Sequence, residues 1–241
     1  MRIIKLNATD STNRFLRNLS SETPVKDFTT VVTNDQTKGR GQMGTSWQSQ
    51  PFQNLTFSVY KQFGAVRFED QFKISMVVSL AIVKALEHLN IPKLSIKWPN
   101  DILSANKKIC GVLIENVIKQ NRIESSIVGV GLNVNQTKYD NLPQASSLKS
   151  ITGVHYDLDE ILQLILNQLK TEMAFIENDT FAIQETYEEY LFRKEKPSTF
   201  EKAEGLFSGI IKGVSKEGLL KVMVEDQILE TFDLKTIKLL Y

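Results

Sequence analysis

LSIKWPNDILSANKKICGVLIENVIKQNRIESSIVGVGLNV, residues 94–134, is the stretch on which the fold turns. Three runs within it, 94–98, 109–117 and 123–134, alternate or stay apolar, and the polar turns 106–108 and 119–122 join them. This pattern predicts a meander of antiparallel strands. Upstream, residues 2–6, 28–33 and 54–60 predict further strands. Asp10, Ser11 and Thr12 supply helix-capping oxygens ahead of Phe15, Leu16 and Leu19, which recur at helical spacing. Residues 69–89 carry Phe72, Met76, Leu80, Val83 and Leu86 as one stripe, which predicts the longest helix, packed on a sheet. Residues 157–176 and 181–192 also have helical patterns, so strands come first and helices later on one face, an α+β layout. From Pro197 onward the texture changes to short β-prone runs, 207–214, 219–224 and 228–232, punctuated by Gly205, Gly213 and Gly218. A small β-barrel-like module is expected there, dividing the chain into residues 1–194 and 195–241.

With 241 residues the chain is long enough to bury a sizeable core. Its 29 basic and 28 acidic side chains leave a net charge of +1 without any charged block, which gives no footprint for generic nucleic-acid or anionic-membrane binding. The single cysteine, Cys110, lies among apolar neighbours and reads as core. His88 and His155 lack partners at metal-ligand spacing, so no zinc site is expected. The N-terminal residues lack the pattern of a secretory signal, and the most apolar run, 76–86, contains Ser79 and Lys84 and is too short to span a bilayer. The expected location is the cytoplasm.

The polar segment 34–53 is long for a loop without structure of its own, and such loops usually carry function. It contains Gly39-Arg40-Gly41-Gln42-Met43-Gly44, formally a G-x-G-x-x-G pattern. A dinucleotide fold would need a strand directly before it and a helix after it, whereas residues 45–53 are polar and lead into a strand. The kinase and Walker readings fail as well, for want of their companion motifs. A glycine loop with one arginine remains. It suits closure over a phosphate-bearing intermediate, since glycines let backbone amides approach and Arg40 offers a bidentate fork, but a flexible surface turn would look the same.

Lys97-Trp98-Pro99-Asn100-Asp101 ends a predicted strand, so Lys97 would project from a rigid point toward a carboxylate or phosphate. Asn100 and Asp101 could orient a nucleotide or its Mg²⁺. A solvated turn with a packed tryptophan is the plain alternative. Lys107-Lys108 leads into Ile109-Cys110-Gly111-Val112-Leu113-Ile114-Glu115, where Gly111 leaves room for a ligand against the strand. Gly129-Val130-Gly131-Leu132-Asn133 places two glycines on one strand face and an amide able to read an adenine edge. Ordinary strand packing would also account for both.

Taken together, Asp10-Ser11-Thr12-Asn13, Gln36 with Gly39-Arg40-Gly41, the KWPND run, the K-x-x-G-x-L-x-E strand and the G-x-G-x-N end resemble the biotin protein ligase family, in the family's order over about the first 135 residues. The resemblance implies a mixed, largely antiparallel sheet packed against helices, similar to class II tRNA synthetases, followed by a small SH3-like β-barrel. It implies activation of biotin with MgATP to biotinyl-5′-AMP and transfer to a lysine of a biotin carboxyl carrier protein or carboxylase subunit. Ser11, Thr12, Asn13 and Gln36 would hold the biotin head group, with Arg40, Gly41, Gln42, Lys97 and Gly111 also contacting biotin. Arg40, Lys97 and Lys108 would be catalytic. Trp47, Asn100, Asp101 and Asn133 would join Arg40 and Lys108 at ATP, with Asp101 meeting the metal. Loop 37–47 would be open until it orders over the adenylate, with Trp47 packing as it closes. The common family form GRGRRGR is altered here, with Gln42, Met43 and Thr45 in place of arginines, which lowers the positive charge near the adenylate.

Lipoate protein ligases are the nearest rival, but their arginine and triple-glycine segment is absent. A noncatalytic biotin sensor with an N-terminal DNA-binding domain is disfavoured because the motifs begin at residue 10, and a catalytically dead carrier-binding protein because Arg40 and Lys97 are present. Whether the chain forms a homodimer through its sheet is left open.

Overall fold

The computed structural model describes residues 1–64, 66–176 and 180–241. Strand β1 (Ile3–Thr9) runs into helix α1 (Thr12–Glu22), whose N-cap is Ser11, accepting from Arg14 N. Strands β2 (Thr29–Gln36) and β3 (Leu55–Gln62) follow, then helix α2 (Gln71–His88). Next come β4 (Leu94–Lys97), β5 (Asp101–Ser104), β6 (Lys107–Lys119) and β7 (Arg122–Leu132). These seven strands form one sheet in the order β1-β2-β3-β7-β6-β5-β4, in which only β1 and β2 pair in parallel. The mixed, largely antiparallel α+β architecture is as expected.

The meander differs from the sequence reading in one respect. The run 94–98 does not pair with β6, because β5 lies between them. Its four residues include only Ile102 and Leu103 as apolar positions, too short a run for a period-2 pattern to register. The helices also do not lie on a single face. Alternation along β3 sends Ser58 toward α1 and sends Phe57 and Val59 into the main core with α2. On the α1 side, Leu16 packs with Val31 and Ile127 in a separate small cluster. Helix α2 is buried on nearly every side rather than along a stripe, since the later helices α4 (Leu158–Ala174) and α5 (Thr180–Glu189) cover the flank that the sheet leaves free. A short helix α3 (Leu148–Thr152) precedes α4, whose N-cap Asp157 accepts from Asp159 N and Glu160 N.

The remaining strands, β8 (Pro197–Lys202), β9 (Gly205–Val214), β10 (Leu220–Met223), β11 (Leu229–Phe232) and β12 (Lys238–Leu240), form an antiparallel sheet in the order β11-β10-β9-β8-β12. Its apolar face is not a separate core. Phe200, Ile211, Leu220, Val222 and Phe232 belong to the same buried cluster as Phe57, Met76 and Leu80. Backbone contacts reinforce the junction. Ile96 N donates to Tyr190 O at 2.7 Å, Phe192 N donates to Ile96 O at 2.8 Å, and Glu195 N donates to Ile211 O at 3.0 Å. Among the described residues no helix is long and apolar enough to cross a membrane.

Candidate active site

A cavity of about 390 Å³ opens between the first sheet, the loop after β2 and the C-terminal sheet. At one end lie Ser11, Thr12 and Asn13, which the cap of α1 holds in place, and Gln36 at the end of β2. Thr12 N donates to Gln36 Oε1 at 3.0 Å. Asn13 donates from Nδ2 to Leu113 O at 3.2 Å and to Glu115 Oε2 at 2.9 Å. Ser58 Oγ is fully buried, 2.7 Å from Thr12 Oγ1 and 2.6 Å from Asn13 Oδ1. Asn13 Oδ1 can only accept, so the one hydroxyl proton of Ser58 goes there and Thr12 Oγ1 donates to Ser58. A Cβ at Gly129 would collide with Asn13 Oδ1, so only glycine lets the amide lie flat on β7. The result is a fixed array of donors and acceptors, suited to a small polar ring.

The other end carries charge. Lys97 leaves the end of β4, and burial pushes its ammonium below the ordinary lysine value, with Asp101 opposing and Lys108 and Lys238 adding to the shift. Lys108 Nζ pairs with Asp101 Oδ1 at 2.7 Å. The turn after Lys97 is pinned on three sides. Trp98 Nε1 donates to Gly218 O at 2.9 Å, while Tyr187 and Ser75 hydroxyls donate to Pro99 O at 3.0 and 3.4 Å. Asn100 lines the cavity but is 5% exposed, and its amide donates to Val112 O, which ties the turn to β6.

The loop expected to be open is a hairpin. Arg40 and Ser46 bridge, Gly41 N donates to Thr45 O at 2.7 Å, and Trp47 N donates to Gly39 O at 3.1 Å. Thr45, at one of the positions where the family form has arginine, donates its hydroxyl to Gln42 O at 2.7 Å and so stiffens the hairpin. Trp47 is already packed down. Its ring lies against the cross-strand glycine pair Gly111 and Gly131, where a Cβ on Gly131 would strike it, and Lys108 Nζ stands 5.8 Å from its centre. The Arg40 guanidinium pairs with Glu115 at 3.3 Å, and Arg17 pairs with the same carboxylate at 2.6 Å.

Ser11, Thr12, Asn13, Gln36, Arg40, Gly41, Gln42, Trp47, Lys97, Asn100, Asp101, Lys108 and Gly111 thus all line one cavity. Asn133 does not. It is buried at the end of β7, where its amide donates to Ser146 O at 2.9 Å, tying the following loop to the sheet. The motif reading could not foresee this, because Ser146 lies beyond the motif. It also assigned no role to Ser58, Glu115 or Lys238, all of which contact or line the site. Glu115 had a visible signal, a carboxylate inside an apolar strand; Ser58 had a weaker one, a hydroxyl between Phe57 and Val59.

Residues 6–133, more than half the chain, match the model of the Biotin/lipoate A/B protein ligase family. The chain belongs to this family. The bifunctional ligase/repressor BirA of Bacillus spizizenii is 29% identical over 206 residues, covering 83% of this chain and 63% of that protein. The biotin–[acetyl-CoA-carboxylase] ligase of Mycobacterium tuberculosis is 28% identical, covering 68% of this chain and 61% of that protein. The chain therefore spans less than two thirds of the length of either relative. A solved biotin protein ligase from Aquifex aeolicus, in complex with biotin and ATP, superposes with a TM-score of 0.81 at 29% identity, covering 99% of this chain and 98% of that one. As in that ligase structure, this family member's two sheets together make one fold, α+β with a C-terminal antiparallel sheet.

Proposed function

We propose that the chain is an ATP-dependent biotin protein ligase, which forms biotinyl-5′-AMP and transfers biotin to a lysine of a biotin carboxyl carrier protein or carboxylase subunit. The observation that carries this reading is one cavity with a rigid polar array at one end, Lys97 and Lys108 at the other, and Arg40 tied through Glu115 to the array. It separates head-group recognition from charge handling, which joining a ureido-ring acid to a nucleotide requires. The relative solved with biotin and ATP supports it.

In the first step a biotin carboxylate oxygen attacks the α-phosphorus of ATP, the bond from that phosphorus to the bridging oxygen breaks, and pyrophosphate leaves. Lys97 lines the cavity and would stand where carboxylate and phosphate meet, its ammonium offsetting their repulsion. Arg40 reaches the same place once its guanidinium turns from Glu115. Each such positioned donor would contribute about 2.7–4 kcal/mol to the transition state. In the second step the carrier amine attacks the acyl carbon and AMP leaves with the bonding electrons. The Trp47 hairpin keeps water from the mixed anhydride.

Among the described residues no cluster of three His, Cys, Asp or Glu side chains converges. A Mg²⁺ ion would therefore take most of its ligands from the triphosphate, with Asp101 as the one nearby carboxylate, and would neutralise the departing pyrophosphate. Asp101 fits that role if Lys108 moves from it to a phosphate.

The test is ATP–pyrophosphate exchange by purified protein, with biotin and with lipoate, followed by transfer of labelled biotin to a carrier domain. Exchange that depends on biotin and is lost in Lys97→Ala and Arg40→Ala is the expected result. Exchange with lipoate alone would assign the chain to the other branch of its family, and exchange with neither would remove the enzymatic reading.

A further inference from the structure

Lys97 has a problem that its neighbours do not solve. Its side chain is a flexible stem with three donors, and nothing in such a stem fixes where the charge points. No ion pair holds it among the described residues, since Asp101, the acidic group it senses, is bound to Lys108. The contact it does make is with an aromatic face. Lys97 Nζ lies 5.1 Å from the ring centroid of Tyr241.

That ring is itself held. Phe192 meets it edge-on, with centroids 5.1 Å apart and planes at 67°, and Gln144 Nε2 donates to Tyr241 O at 2.8 Å. Phe192 belongs to the segment that pairs with β4, the strand bearing Lys97. Lys97 and Phe192 line the cavity and Tyr241 does not, so the ring backs the ammonium from outside the substrate space. The chemistry of the contact matters. A carboxylate there would neutralise Lys97 and compete with the substrate for its hydrogens, whereas a ring quadrupole attracts the cation and leaves its donors free.

We propose that Tyr241 is a positioning residue for adenylation, acting through Lys97 by presenting its ring face to the ammonium; this rests on the ligase reading above. Tyr241 touches neither biotin nor ATP. It lowers the cost of reaching the transition state by keeping a partly buried charge, held by no ion pair among the described residues, in one place, and through it the C-terminal sheet takes part in a step carried out on the first sheet.

The experiment compares wild type, Tyr241→Phe, Tyr241→Leu and Tyr241→Met in biotin-dependent ATP–pyrophosphate exchange, with thermal unfolding to confirm folding. Tyr241→Phe keeps the ring and should stay within about twofold of wild type. Tyr241→Leu should lose about 2- to 30-fold in kcat, the range of a cation–π contact, with KM for biotin and ATP little changed. Tyr241→Met, apolar and ringless, should behave like Tyr241→Leu and serves in its place if the leucine variant does not fold. A folded ringless variant with wild-type kcat would overturn the proposal, as would a rise in KM alone or a Tyr241→Phe variant as slow as Tyr241→Leu. No exchange in the wild type with biotin would overturn the ligase reading, and this inference with it.

Discussion

Ser58 shows how much of the site rests on single atoms. Among the described residues its hydroxyl is the one hydrogen-bond partner of Asn13 Oδ1, at a fully buried position of β3. Ser58→Ala leaves that oxygen unsatisfied and should destabilise the protein by about 1–3 kcal/mol, with a larger loss in biotin affinity than in ATP affinity. Calorimetric titration of the two ligands checks this; equal losses would mean the network does not belong to the head-group end. Lys97 gives a second prediction. Its folded-state pKa is depressed, chiefly by burial, so the folded chain binds fewer protons than the unfolded one as pH nears the ordinary value of 10.5. The charged form thus opposes folding at neutral pH, and that opposition is relieved as pH rises through the depressed value. In the proposed adenylation the charged form is the competent one, so kcat/KM for exchange, which reports the free enzyme, should fall on an alkaline limb centred below 10.5. Lys97→Arg should remove the limb, because a guanidinium does not titrate there; a limb that persists in this variant would assign it to another group.

At the scale of elements, Glu188 near the end of α5 joins the helix to the second sheet. It accepts from Val214 N at 2.9 Å and Gln184 Nε2 at 3.0 Å and pairs with Lys194 at 3.1 Å. Burial works to raise its pKa, but these bonds outweigh it and hold the carboxylate below the ordinary value. The clamp therefore contributes fully above the unfolded-state value and is lost as pH falls through the lower folded one. Glu188→Ala should cost about 1–3 kcal/mol at neutral pH and less in acid, as measured by urea unfolding at both; the same cost at both would exclude an ionic clamp. The elements themselves differ in how far the sequence announces them. Helix α1 was legible because Ser11 caps it and Leu16 marks its buried side, and the site motifs were legible because each is a contiguous run. Strand β5 was hidden by its four-residue length. The all-round burial of α2 was hidden because nothing local says that two later helices will cover its outer side. Glu115 and Asn13 lie 102 positions apart, so their bond belongs to the sheet rather than to any pattern along the chain.

Over the whole molecule, the buried cluster runs without a break from α2 to the strands of the second sheet. Residues 1–194 and 195–241 therefore share one core, whatever division their composition implies. Scanning calorimetry should show one transition whose calorimetric and van't Hoff enthalpies agree; two resolved transitions would mean that the junction is weaker than its packing indicates. Both tryptophans of the chain, Trp47 on the hairpin and Trp98 beside Lys97, line the same cavity. Excited at the red edge of its absorption, the protein emits only from the lining of this one cavity. Trp98, bonded to Gly218, senses the grip of the C-terminal sheet, and Trp47, lying on glycine, senses the hairpin. A Trp98→Phe variant leaves Trp47 as the only emitter, and the order in which ligands enter and the hairpin responds becomes readable in a stopped-flow trace without any attached dye.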